Sequence, residues 1–327
     1  MENARPYNGL MRRSAFLALA LLVGLSSGCT KPRFRSGTPQ DPIRYVFISR
    51  SDQDMPALLA IRAAETMAGE AATGANKMYR IERIAPVPAT PEAQAAEVEK
   101  LIPSDPDGIV VMVNASPKLD AAIKKAVDKD IPVICMGADA PKSNRTAVCA
   151  PSDLAIGEEL ARQFLDAAKV RYGKVAILST TPTGDDSMQA RVRGADRHLR
   201  SSAPDLILLK PLYCEADSKK AAALIRKTVA ETPDLKGLLL LGEWALAGKE
   251  AREALPDPKK VTTVAADIST DARELLRTGK LSRLVAPRCV EMGREAVKAL
   301  EALRQETKFE FGAPIDTGYD VIYKDFA

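Results

Sequence analysis

The side chains of this 327-residue chain best suited to hydrogen-bond chemistry stand just after apolar, β-branched runs. Arg50, Asp52 and Asp54 follow Ile43 to Ile48, Asn114 follows Gly108 to Val113, Asp139 follows Ile131 to Met136, and Asp267 follows Val261 to Ala266. A carboxylate offers two coplanar acceptor oxygens and can take paired bonds from neighbouring hydroxyls, each contributing roughly 1.5–3 kcal/mol where water is excluded. Arg50 offers the complementary fork of donors, suited to a carboxylate or a phosphate. Each position has a plainer alternative: a solvated loop charge at Arg50, turn chemistry at Asn114, an Asx turn before Pro141 at Asp139, and a helix N-cap at Asp267.

Other chemistry is poorly supplied. His198 is the single imidazole, expected at the surface between Arg197 and Arg200, so a multi-histidine metal site is excluded. No Gly-x-Ser-x-Gly elbow occurs, and the loop from Thr180 to Asp186 lacks the Gly-Lys-Ser/Thr ending of a phosphate loop. The expectation is binding without catalysis, with no cofactor and no metal. With 47 Lys and Arg against 43 Asp and Glu, a net charge of +4, the balance is too even for a nucleic-acid binder. A composition of 46% hydrophobic and 28% charged residues is that of a folded globular protein, and the length favours two lobes.

The elements that would position these residues alternate in period. Ile43 to Ile48 reads as strand, Ala57 to Ala72 as helix, Met78 to Ile84 as strand, Pro91 to Leu101 as helix. The series continues with Gly108 to Val113, Lys118 to Asp128, Ile131 to Met136 and Thr146 to Cys149. A second set runs from a helix at Asp153 to Lys169 through a strand at Lys174 to Ser179, a helix at Ser187 to Arg200, a strand at Leu206 to Leu212, a helix at Ser218 to Ala230 and a strand at Gly237 to Leu241. It ends with Glu243 to Leu255, Val261 to Ala266, Asp271 to Arg277, Leu281 to Ala286 and Glu291 to Leu303. Continuous apolar strands fit a parallel sheet buried on both faces. Asp153 and Ser218 are expected as N-caps and Gly173 as a helix C′ residue. In open α/β sheets ligands bind beyond the carboxyl ends of the strands, which singles out Ser49 to Asp54, Asn114, Gly137 to Asp139, Thr180 to Gln189, Glu243 and Asp267.

The N-terminus carries an address. Arg12 and Arg13 precede an apolar run from Ala15 to Leu25, too short to span a bilayer, and Ser26-Ser27-Gly28-Cys29 follows. Residues 1–28 read as a secretory signal whose end resembles a lipobox, with Cys29 as the lipidated residue; Ser26 departs from the usual Leu, and a plain secretory signal is the alternative. Residues 29–42 read as a polar, Pro-rich tether. Cys135 and Cys149 end successive strands and are the favoured disulfide among four cysteines, with buried free thiols the equal alternative.

Seven segments, in order, resemble those of periplasmic sugar-binding proteins of the ribose/galactose type, from Ile43 to the C-terminus. They are Pro106 to Val111, Asp130 to Ile134, Asp139 to Arg145, Arg191 to Gly194, Asp267, Glu291 to Gly293 and Asp316 to Ile322. The resemblance implies the type I periplasmic binding protein fold: two Rossmann-like α/β lobes with parallel sheets, joined by a three-strand hinge. Lobe 1 is expected over 43–150 plus 288–312 and lobe 2 over 151–287 plus 313–327. It implies ligand contacts from Asp139 on the first lobe and Asp267 on the second. Departures are plain: Asp54-Met55-Pro56-Ala57 stands where an aromatic clamp is common, Gln189 where a ligand-binding Arg is usual, and Pro287 where a Gln is expected. Trp244 is either a replacement stacking face or core, and Arg191 is read as structural. The implied partners are a small polar solute, carbohydrate foremost, and an ABC permease or a membrane sensor, with a membrane reached through the lipid anchor, no nucleic acid, and the protein a monomer. A ligand-sensing module, or a divergent relative that binds a non-sugar, is the alternative. A lac-repressor-type regulator is set aside, since an export signal and no helix-turn-helix precedes Ile43.

Overall fold

The computed structural model describes residues 34–183, 186–307 and 312–326. The expected signal peptide and Cys29 lie outside the described residues. Two α/β bodies follow one another along the chain. The first contains β1 (Ile43–Ile48), α1 (Met55–Ala75), β2 (Tyr79–Ile84), α2 (Pro91–Leu101), β3 (Gly108–Met112), α3 (Pro117–Val127), β4 (Val133–Met136) and β5 (Ala147–Ala150). The second contains α4 (Asp153–Ala168), β6 (Gly173–Ser179), α5 (Asp186–Ser202), β7 (Leu206–Leu208), β8 (Leu212–Tyr213), α6 (Ser218–Glu231), β9 (Leu235–Leu240), α7 (Gly248–Ala254), β10 (Thr262–Ala266), α8 (Thr270–Arg277) and β11 (Arg283–Pro287). The chain ends with α9 (Cys289–Arg304), β12 (Pro314–Asp316) and β13 (Tyr319–Ile322).

The first sheet has the order β12-β5-β4-β3-β1-β2 with all pairs parallel, and the second β13-β11-β10-β9-β6-β7, parallel except for the antiparallel β11–β13 pair. The inner strands β1, β3, β4 and β5 bury both faces: in β1, Tyr45 and Phe47 pack on the side of α1 and α9, Val46 and Ile48 on the side of α2 and α3. Parallel pairing with crossover helices demands this, which is why the strands read as unbroken apolar runs. The second sheet is covered by α4 and α5 on one side and by α6, α7 and α8 on the other. This is the two-lobed fold of type I periplasmic binding proteins. The chain passes between lobes at 150–153, 287–289 and 316–319. Strand β12 adds to the first sheet and β13 to the second, with Thr317 and Gly318 between them.

Several local expectations are corrected. Ser152 caps α4 by accepting from Ala155 N–H, and Asp217 caps α6 by accepting from Lys219 and Lys220, each one residue before the expected cap. Lys169, not Gly173, closes α4 in the left-handed conformation, and Gly173 opens β6 at φ 110°. The expected strand from Leu206 to Leu212 is two short ones, because Pro211 has no N–H for the ladder. Glu243 to Leu255 is a 3₁₀ turn over Glu243–Leu246 followed by α7. All four described cysteines are buried free thiols. Cys135 is level with Val148, and Met136 with Cys149, so the two thiols face opposite sides of the sheet and cannot pair. Residues 35–41, expected in the tether, are held on the first lobe by Arg35 on Asp107, Lys77 on the Ser36 carbonyl and the Met78 N–H on the Gly37 carbonyl. No helix among the described residues is long and apolar enough to cross a membrane.

Candidate functional site

The carboxyl ends of the strands of both sheets open onto one cleft of about 870 Å³, a size fit for a small ligand. Arg50, Asn114, Gly137 and Asp139 line it from the first lobe, and Asp186, Arg191, Glu243 and Asp267 from the second. Loops at the strand ends, where open α/β sheets bind ligands, thus line this cleft.

Arg50 is fixed by Asp54, the N-cap of α1. Asp54 takes bonds from the Arg50 N–H (3.0 Å), Nε (2.9 Å) and Nη2 (2.9 Å) and from Ala57 N–H (3.3 Å). Burial alone would raise the Asp54 pKa, yet the Arg50 bonds outweigh it and hold the carboxyl below its ordinary range. Asp54 itself is buried behind the cleft wall. Asn114 is positioned through its backbone: the fully buried Gln94 accepts from Asn114 N–H at 3.0 Å and donates to the carbonyls of Ser49 and Met112. One side chain from α2 thus ties together the ends of β1 and β3, leaving the Asn114 amide to the cleft loop. Asp139 binds Arg145 in a two-pronged pair, 2.7 Å on each arm, and Arg145 reaches on to the Gly312 carbonyl.

On the second lobe, Arg191 is 5% exposed in its side chain and fully engaged. Its Nε donates to Asp153 at 2.7 Å, and its Nη1 to the Leu241 carbonyl at 2.7 Å and to both Asp267 oxygens at 3.0 Å. Ser187 adds a hydroxyl bond to Asp153. Arg191 therefore locks Asp267, whose φ of 66° turns it off the end of β10. The cap of α8 is Ser269, which disposes of the N-cap alternative for Asp267. Glu243 lines the cleft, and no donor among the described residues forms a hydrogen bond or ion pair with its carboxylate. Burial, then the charge of Asp267, push its pKa up to about 7, against the pull of Arg50 and Arg191. Asp120 is also raised, by burial first.

Besides Asp54 behind the wall, three sequence-selected residues lie off the cleft. Asp52 is exposed, with its carbonyl accepting from Arg83. Gln189 donates to the Thr181 carbonyl and steadies that loop without lining the cleft. Trp244 lies over Gly242, where an added Cβ would come within 2.4 Å of its indole nitrogen, and packs against the core of the second lobe. The 3₁₀ turn that sends Glu243 outward sends Trp244 inward. No aromatic ring or imidazole is found among the described lining residues; Met112, Met188, Met292, Pro56 and Pro287 supply the apolar wall instead. His198 is half-buried on α5, its pKa lowered by burial. Sequence reasoning passed over Asp153 and Asp120, and the pair Ser152-Asp153 opening a helix at a lobe crossing was the available signal for the first. Among the described residues no three His, Cys, Asp or Glu side chains converge in a metal-binding group.

Two lobes hinged by three crossings around a polar cleft define a class, the binding proteins that enclose a solute. Residues 60–308 match the periplasmic binding protein domain family, and the chain belongs to it. No curated protein matches the sequence. Among solved structures, the arabinose-binding protein AraP from Geobacillus stearothermophilus is 19% identical with a TM-score of 0.75, covering 87% of this chain and 97% of its own. An ABC transporter solute-binding protein from Agrobacterium vitis with bound D-fucose is 24% identical, with a TM-score of 0.67 and coverage of 86% and 96%. A chain of a XylFII–LytSN complex is 21% identical, with a TM-score of 0.67 and coverage of 88% and 99%. At these identities the likeness establishes the fold.

Proposed function

We propose that this protein is an extracytoplasmic solute-binding protein that encloses a small polar solute, a sugar foremost, between its lobes and delivers it to an ABC importer, with no covalent chemistry. The observation that carries this reading is the cleft at the strand ends of both sheets, with polar side chains from each lobe facing into it. A ligand touching both walls stabilises the closed arrangement differentially, and only such a difference shifts an open–closed balance. Arg50, Asn114 and Asp139 on the first wall, and Glu243 and Asp267 on the second, are the proposed contacts, with Asp54 and Arg191 as positioning residues. Lobes 43–150 plus 288–316 and 151–287 plus 317–326 are the proposed moving bodies. The sugars of the structural neighbours, arabinose for AraP and D-fucose for the Agrobacterium vitis protein, support the solute class. Acylation of Cys29 and a monomeric state complete the reading; intact mass and light scattering of the exported protein test them.

The XylFII–LytSN neighbour favours a second reading, in which the closed form is presented to a protein partner other than a permease. Small-angle scattering of the full chain with a panel of mono- and disaccharides tests enclosure. A fall in radius of gyration with at least one solute is expected, and no compaction with any solute overturns both readings.

A further inference from the structure

We propose that the solute carries a basic nitrogen, as in an amino sugar or amino-polyol, and that its ammonium group seats against Glu243 and Asp267. This deepens the solute-binding reading and rests on it. Six carboxylates and three cations are found among the described residues that line the cleft. The cations are already engaged or set apart: Arg50 is held by Asp54 and Arg191 is shared by Asp153 and Asp267, while Lys142 lies on the first-lobe wall. Asp139 brings its own counter-ion in Arg145. Two carboxylates around one guanidinium, with Glu243 beside them and no cation bonded to it, leave the second-lobe wall short of positive charge. An anionic solute would enter against that field, whereas an ammonium group completes it. With no aromatic ring among the described lining residues, a neutral sugar finds no stacking surface there, so charged hydrogen bonds must supply more of the affinity.

The same geometry couples binding to a proton. The groups facing Glu243 are Arg50 and Asp54 from the first lobe, Asp267 from the end of β10 and Arg191 from α5, and the carboxyl titrates near neutrality. An ammonium beside it favours the ionised form, so at pH 7 binding expels part of a proton from Glu243.

Isothermal titration calorimetry of the ligand-free full chain at pH 7.0, in two buffers of different ionisation heat, tests this. The probes are D-glucosamine, D-galactosamine and 1-amino-1-deoxy-D-sorbitol, each against its neutral parent. At least one amino compound is expected to bind about tenfold or more tightly than its parent, with proton release to buffer. Glu243→Gln is expected to abolish both the preference and the release. Parents that bind as well as or better than every amino form overturn the inference and leave the solute-binding reading standing. No binding by any probe, together with no compaction in the saccharide panel, overturns both.

Discussion

Glu243 sits in the cleft wall without a bonded cation, and its raised pKa is a statement about stability as well as about ligands. Below pH 4.5 the carboxyl is neutral in the folded and unfolded chain alike. Between pH 4.5 and about 7 the unfolded chain has lost the proton and the folded one keeps it, so stability falls as pH rises and levels off above 7. At about 1.36 kcal/mol per unit the upper bound is about 3 kcal/mol, and solvent at a half-buried group trims it to about 1–2. Glu243→Gln is therefore expected to resist urea better than the wild type at pH 8 and to match it at pH 5; an equal gain at both values would contradict the assignment. Asp139 and Asp267 were legible in the sequence because each follows an apolar strand. Glu243 and Trp244 were not separable there, since a 3₁₀ turn with one buried face decides which of the two enters the cleft.

Helix α4 meets α5 through a reciprocal pair of glycines. A Cβ on Gly157 would lie 2.0 Å from the Arg191 carbonyl, and one on Gly194 would lie 2.1 Å from the Leu154 carbonyl. This close approach lets Arg191 reach Asp153 from the neighbouring helix, so the spacing of two helices sets the geometry of the cleft carboxylates. Gly194→Ala is expected to cost about 3 kcal/mol by denaturant unfolding and to loosen the Arg191 lock. Gly69→Ala, on an exposed face of α1 with nothing within 4 Å, is expected to gain about 0.8–1 kcal/mol in the same measurement. The segments Arg191 to Gly194 and Glu291 to Gly293 resembled a family pattern before any reason for them was visible. Gly293 supplies it on α9, with a Cβ position 1.9 Å from the Ala60 carbonyl: both segments end at a helix crossing. Period and apolarity placed β1 and α2 to the residue, because both bury a regular face. They misplaced the caps of α4 and α6 by one, since Ser152-Asp153 and Asp217-Ser218 each offer two competent capping side chains and only backbone geometry chooses between them.

At the scale of the whole molecule, neither lobe is a continuous stretch of chain. The crossings at 150–153, 287–289 and 316–319 have no periodicity, so the sequence pattern alone showed two α/β sets in series, and the return of α9 to the first lobe came only with the family resemblance. The buried thiols report on this arrangement. Burial pushes Cys149 up to about 12 in the first lobe and Cys214 up to about 11 in the second, so neither reacts appreciably while folded. Labelling by a thiol reagent then tracks opening of each lobe. A solute held by both walls at about 100 times its Kd stabilises the closed protein by about 2.7 kcal/mol, which slows labelling roughly 100-fold when opening must release it. Cys149 and Cys214 are expected to be protected to the same degree, read by mass spectrometry of the labelled peptides. Protection confined to one of them would mean that the ligand is carried by a single lobe, and closure would lose its physical basis.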